Sequence, residues 1–250
     1  MAHDRNISDH AGSLYDPSAT AEIEWDTSEF RRLPVYLLLD CSSSMSGMKI
    51  QQVNDGVQTL YRELMNDPRA VETVHMCVIH FASTAAKTAL VPIASFQPPQ
   101  FAANGSTALG EALRLLNQSL DTDLKAVNVG QRSKGDYKPL IFLLTDGQPT
   151  DAWQAEAQKL KSRSSVKSAN VIALAIGTDA DPDMLTQVTP KVLKMDTVTP
   201  ELLHEFFVWV SQSVKQASKS IARAGESGQD ASGEAQAATP PPPLGIDLYL

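Results

Sequence analysis

Pro34-Val35-Tyr36-Leu37-Leu38-Leu39-Asp40-Cys41-Ser42-Ser43-Ser44-Met45-Ser46-Gly47 is the stretch on which the reading of this chain turns. Its first six residues form a short, continuous apolar run that stops at a carboxylate. That is the pattern of a strand covered on both faces of a parallel sheet. Beyond Gly47, residues 48–65 repeat apolar side chains at 50, 53, 57, 60, 61, 64 and 65, a helical period. A strand, a polar loop and an amphipathic helix therefore follow one another.

The alternation continues along the chain. Residues 74–81 are rich in β-formers, and residues 89–93 are expected to pair beside them. Residues 107–126 read as a helix, with Leu109, Leu113, Leu116 and Leu120 on one stripe. Strands expected at 140–145, 171–176 and 192–195 are separated by a helix at 152–163 and followed by a long one at 200–223, with Pro200 in its first turn. Such spacing demands right-handed crossovers. The expected fold class is α/β, a Rossmann-like open, mainly parallel sheet flanked by helices on both faces. Sheets of this kind place their ligands at the carboxyl ends of the strands.

Three strand ends carry the chemistry. Asp40, Ser42 and Ser44 form D-x-S-x-S, and alternate residues of a loop can turn one carboxylate and two hydroxyls toward one point. All-oxygen donors of this kind suit a hard cation. Taken alone, the pattern reads equally as a helix-capping loop, with Ser46 as the cap. Leu143-Leu144-Thr145-Asp146-Gly147 ends a second apolar strand with another carboxylate, in what is also a common turn sequence. Asn104-Gly105-Ser106-Thr107 brings a hydroxyl to a helix start, where Ser106 or Thr107 can also serve as an N-cap. The three together, all on one rim, favour a metal centre.

At these residues the sequence resembles the von Willebrand factor A (vWA) family. Its metal-ion-dependent adhesion site uses D-x-S-x-S, a later Thr and a later Asp, matched in order by Asp40, Ser42, Ser44, Thr107 and Asp146. The resemblance implies one Mg²⁺, with Mn²⁺ or Ca²⁺ as alternatives. It further implies that the hydroxyls approach the ion directly, that the aspartates often act through water, and that an open position accepts a partner's carboxylate. Within the family the chain is similar to bacterial tellurite-resistance TerY-like proteins over about residues 32–222. That likeness is carried by residues 34–40, Ser44-Met45-Ser46-Gly47, Gly105-Ser106-Thr107-Ala108-Leu109-Gly110, and Lys134-Gly135-Asp136-Tyr137-Lys138-Pro139 running into residues 145–153. Family members often have Gly where this chain has Ser43. The resemblance implies a metal-dependent scaffold in a stress-response system, binding a protein kinase and a PP2C-type phosphatase and catalysing nothing.

Enzyme readings find less support. A haloacid-dehalogenase-type phosphatase needs a second Asp where Ser42 stands. Gly105 to Gly110 has P-loop spacing, but Glu111 replaces the phosphate-binding Lys. No G-x-S-x-G elbow occurs. The competing reading is a Mg²⁺-dependent phosphoester hydrolase using the same site. His75 and His80, in a strand of alternating burial, are expected to be structural. Asp179, Asp181 and Asp183 could hold a second cation, but read better as a solvated loop with Asp181-Pro182 opening a short helix. Asp151 is expected to cap a helix or to support the metal ligands.

Composition frames these readings. The 250 residues are 42% hydrophobic and 20% charged, ordinary for a globular protein. The net charge of −8 is concentrated at the ends: residues 1–30 hold seven acids against Arg5, and residues 224–250 hold four acids and no base. With no dense basic stripe, a nucleic-acid partner is not expected. No apolar run reaches membrane-spanning length, and no secretory signal opens the chain, so a cytoplasmic protein without a membrane partner is expected. Cys41 and Cys77 stand in or beside apolar runs without CxxC spacing, as buried thiols rather than zinc ligands. The expected organisation is an acidic N-terminal arm at 1–30, a domain at 31–223, and a Pro-rich tail at 224–250. The last seven residues, Leu244-Gly245-Ile246-Asp247-Leu248-Tyr249-Leu250, are too apolar for a linker and could pair with a sheet edge or fill a partner's groove.

Overall fold

Strand β1 (Leu33–Asp40) is buried along its whole length, and its side chains alternate between two cores. Val35, Leu37 and Leu39 point into one apolar layer, and Tyr36 and Leu38 into the other. A strand that supplies both layers can only be central, which is why its sequence is continuously apolar rather than alternating. The computed structural model describes residues 31–125, 135–163, 169–226 and 239–249. The arm expected at 1–30 and the middle of the tail lie outside the described residues.

The remaining elements are α1 (Met48–Met65), α2 (Pro68–Thr73), β2 (Val74–Phe81), β3 (Ala85–Lys87), β4 (Val91–Pro92), α3 (Leu109–Thr122), β5 (Leu140–Thr145), α4 (Gln154–Lys161), β6 (Asn170–Ile176), α5 (Pro182–Thr186), β7 (Val192–Met195), α6 (Pro200–Glu226) and β8 (Asp247–Tyr249). The sheet order is β3-β2-β1-β5-β6-β7-β8, with β4 also on β2. β2, β1, β5, β6 and β7 run parallel, and β3, β4 and β8 pair antiparallel. This is the expected α/β class. Helices α1 and α6 contribute to the first core, and α3 and α4 to the second.

Helix lengths differ from the sequence expectation at the site. α3 starts at Leu109, because residues 104–108 belong to a loop hydrogen-bonded to the β1 and β2 ends. The pairing expected at 89–93 is split into β3 and β4. Thr88 lies between them and bonds Val78 twice, through its own N–H at 2.9 Å and its Oγ1, also at 2.9 Å. Close approach of α1 and α6 depends on Gly56, where an added Cβ would stand 2.0 Å from the Phe207 ring.

The apolar end of the Pro-rich tail closes the sheet. Trp209 on α6 donates its indole N–H to Pro240 O at 2.8 Å, and Ile246 is buried. β8 then pairs with β7, with Leu248 opposite Leu193, and Tyr249 donates its hydroxyl to Asp183 Oδ1 at 2.6 Å. Edge strand β7 is thereby covered by the chain's own segment.

Candidate functional site

β1 and β5 are neighbours in register, with Leu39 opposite Leu144, so Asp40 and Thr145 end adjacent strands and Asp146 follows one residue later. The crossover from β1 leads to β2 on one side, and the chain after β5 proceeds to β6 on the other. This is the topological switch point, beside which open α/β sheets place their ligands. The loop before α3 forms a third wall. Asn104 N–H donates to Cys41 O at 2.9 Å, Ser43 N–H donates to Gly105 O at 3.0 Å, and Ala108 N–H donates to Ala82 O at 2.7 Å. Gly105 adopts φ +71°, and a Cβ there would meet Ser83 Oγ at 2.2 Å, so this wall tolerates only glycine.

The structure brings the five expected residues together. Asp40 is fully buried; its Oδ1 accepts from Ser42 N–H at 2.8 Å, and its Oδ2 accepts from Thr145 Oγ1 at 2.5 Å. Ser42 Oγ and Ser44 Oγ lie 2.9 Å apart, and Ser44 Oγ donates to Asp146 Oδ1 at 2.6 Å. Thr107 flanks the same spot. A Cβ built on Gly147 would stand 3.5 Å from Thr107 Oγ1 and 3.6 Å from Ser44 Oγ. Burial raises the Asp40 carboxyl above its ordinary range, against the opposing hydrogen bonds of Ser42 and Thr145. A buried carboxylate held by neutral donors gains strongly from a nearby cation.

The donor set consists of two carboxylates and three hydroxyls, all hard oxygens. It fits Mg²⁺, Mn²⁺ or Ca²⁺ better than a metal favouring thiolate or imidazole. Among the described residues, no group of three or more His, Cys, Asp or Glu is placed to hold a metal. Cys41 and Cys77 are free and buried, and burial pushes their thiols up to about 12 and about 11. Both are therefore poor nucleophiles at neutral pH.

Several side reactions of the sequence are settled by hydrogen bonds. The α1 N-terminus carries Gly47 as its N-cap rather than Ser46, with no side-chain cap bond. That leaves the serines of the loop free of the capping role. At α3 the expected caps Ser106 and Thr107 are replaced by Asp151 of the loop after β5, whose carboxylate accepts from Gly110 N–H at 2.9 Å and Glu111 N–H at 3.0 Å. The position a P-loop would offer to phosphate is thus filled by an internal carboxylate. Asp181 caps α5 through Met184 N–H, and Asp183, in the first turn of that helix, accepts from the Tyr249 hydroxyl.

Two contacts of the site were not read from the sequence. Thr145 buttresses Asp40, signalled only by a hydroxyl residue between an apolar strand and its terminal Asp. Lys49 Nζ lies 2.5 Å from Asp146 Oδ2 and 3.4 Å from Ser44 O. Its signal is a lysine in the first turn of a helix, where the backbone dipole disfavours positive charge.

Comparison with solved structures gives the same frame. The von Willebrand factor type A domain of Catenulispora acidiphila superposes with a TM-score of 0.57 at 20% identity, covering 74% of this chain and 43% of that one. Proximal thread matrix protein 1 from the mussel byssus gives 0.51 at 20% identity, covering 73% and 48%. The pilus adhesin SpaC from Lactobacillus rhamnosus GG gives 0.57 at 15% identity, covering 74% and 31%. At these identities the likeness is one of fold, and the chain spans less than half the length of each. A comparison with curated proteins yields no match. The sequence profile of the von Willebrand factor type A domain matches residues 35–199, which run from β1 to the threshold of α6 and include every residue of the site. By that match, which covers about two thirds of the chain, the chain belongs to the von Willebrand factor type A domain family.

Proposed function

We propose that the chain is a non-catalytic, metal-dependent protein-binding module whose site holds one divalent ion, Mg²⁺ before Mn²⁺ or Ca²⁺. The observation that carries this reading is the continuous contact from Ser42 Oγ through Ser44 Oγ to Asp146 Oδ1, with buried Asp40 behind it. Ser42, Ser44 and Thr107 would hold the ion with their hydroxyls, and Asp40 and Asp146 would balance its charge. The bound ion would supply a Lewis-acidic position for a carboxylate of a protein partner. The protein's own part is to fix the loops: Thr145 orients Asp40, Asp151 ties the start of α3, just beyond Thr107, to the loop after β5, and Gly105 lets the Thr107 loop close on Ser83. Ser44 is exposed while its neighbour Ser42 is buried, which supports an ion approached from solvent on one side only.

Family membership supports protein binding, since vWA domains commonly serve adhesion and protein recognition. The resemblance to TerY-like proteins carries a finer proposal, a scaffold in a bacterial stress or tellurite-resistance system with a protein kinase and a PP2C-type phosphatase as partners. The proposed compartment is the cytoplasm. No helix among the described residues is long and apolar enough to cross a membrane.

Calorimetric titration of Mg²⁺ into the full chain and into Asp40→Ala tests the site. Saturable binding to the first and none to the second is expected. A parallel assay with generic phosphoesters is expected to show no turnover. Metal-dependent turnover abolished by Asp40→Ala would replace the scaffold with the hydrolase.

A further inference from the structure

Lys49 is the second residue of α1, and the first turn of that helix contains no acidic side chain. A positive charge there opposes the helix dipole. Its ammonium is nevertheless turned into the site, 2.5 Å from Asp146 Oδ2 and 3.4 Å from Ser44 O. The Asp146 side chain is 0% exposed and that of Lys49 is 24% exposed, so the pair joins a buried carboxylate to a cation that reaches it from the rim. Asp146 Oδ1 accepts from Ser44 and its Oδ2 from Lys49, so both of its oxygens are engaged.

We propose that Lys49 is a tethered counter-ion of Asp146 that competes with the divalent ion for this carboxylate and so sets the metal concentration at which the site fills. The proposal rests on the metal-site reading above. An ion held among Ser42, Ser44 and Thr107 would lie beside the ammonium, and two like-signed charges cannot share one carboxylate without loss. Filling the site therefore requires the ammonium to withdraw toward solvent, which its four-carbon stem and partial exposure permit. The metal affinity is weakened by the strength of the ion pair, and the charge of the rim changes when the site fills. With metal absent, Asp146 keeps a cationic partner and is not left as a buried charge facing neutral donors.

Three full-length proteins test this: the wild type, Lys49→Met, which keeps the stem and removes the charge, and Lys49→Arg, which keeps the charge. Mg²⁺ affinity is read by calorimetry, and melting temperature is read in EDTA. Lys49→Met is expected to bind Mg²⁺ roughly tenfold more tightly at low salt, with the gain shrinking as salt is raised. Its melting temperature in EDTA is expected to fall below that of the wild type. Lys49→Arg is expected to stay near the wild type in both readouts. Equal or weaker Mg²⁺ binding by Lys49→Met would overturn the competition while leaving the metal site standing. Absence of Mg²⁺ binding in all three would overturn the metal reading itself, and the competition with it. An unchanged melting temperature of Lys49→Met in EDTA would overturn the counter-ion role.

Discussion

Ser44 donates its hydroxyl to Asp146 Oδ1 at 2.6 Å, joining the loop that leaves β1 to the loop that leaves β5 across 102 positions of sequence. Neither loop forms the site alone. The contact exists because β1 and β5 are adjacent and in register, so the carboxylate ending one strand system meets the hydroxyls ending the other. Changes that leave the sheet intact but loosen a loop should therefore act on metal binding before they act on the fold.

Asp151 is the clearest case. Its carboxylate caps α3 from another loop while Thr150 N–H donates to Thr107 O at 2.9 Å beside it. Asp151→Ala should cost about 1 kcal/mol of stability, the usual cost of losing a cap. It should weaken Mg²⁺ binding more than that loss suggests, because the Thr107 loop loses its anchor. Urea unfolding paired with calorimetry checks both parts.

Gly56 fixes the spacing of α1 and α6. In Gly56→Ala the new methyl would stand 2.0 Å from the Phe207 ring, so the helices must separate or the ring must move. A loss of about 1–3 kcal/mol is expected from overpacking. The double variant Gly56→Ala with Phe207→Leu should recover part of it in the same melt.

His75 and His80 give the fold a pH dependence. Burial lowers both imidazoles below their ordinary 6.5, and His80 packs tilted against Phe101, ring centroids 5.3 Å apart, with its Nδ1 unpartnered. The unfolded chain then binds protons at a pH where the folded chain does not, so stability is full above 6.5 and is lost as pH falls below it. Urea midpoints should drop between pH 7.5 and 5.5, and the drop should be smaller in His80→Phe.

Much of this was legible in the sequence. The continuous apolar runs placed β1, β5 and β6 correctly because strands covered on both faces carry no polar alternation to blur them. Asp40, Ser42, Ser44 and Asp146 stand out because strand ends of a doubly wound sheet are where ligands gather, and the resemblance to the vWA motif adds Thr107; that the five hold a metal is the proposal made above. What was not legible depends on tertiary contact. Asp151 is expected to cap a helix, but that the helix is α3, in place of Ser106 or Thr107, and that Lys49 folds back onto Asp146, are facts of loop approach with no local pattern behind them. α2 was missed although Asp67-Pro68 announces it, since six residues are too few to show a period.

The C-terminal segment lies between these cases, because pairing with a sheet edge was one of two readings of its apolar content, and that the edge is β7 was not visible. Removing residues 239–250 should expose Trp209, which now donates to Pro240 O and is 5% exposed. A red shift of tryptophan emission with a drop of a few degrees in melting temperature is expected, because β7 loses its cover and Ile246 its buried position. Unchanged emission would place Trp209's shelter elsewhere.

The central claim, binding of protein partners through the metal, is tested most directly by retrieving partners from native cell extract with the immobilised chain, once in Mg²⁺ and once in EDTA, with Ser42→Ala alongside. The account predicts proteins retained only in Mg²⁺ and lost from Ser42→Ala, a kinase or a phosphatase among them. Partners retained equally in EDTA, or equally by Ser42→Ala, would contradict it and move the binding surface away from Asp40 and Asp146.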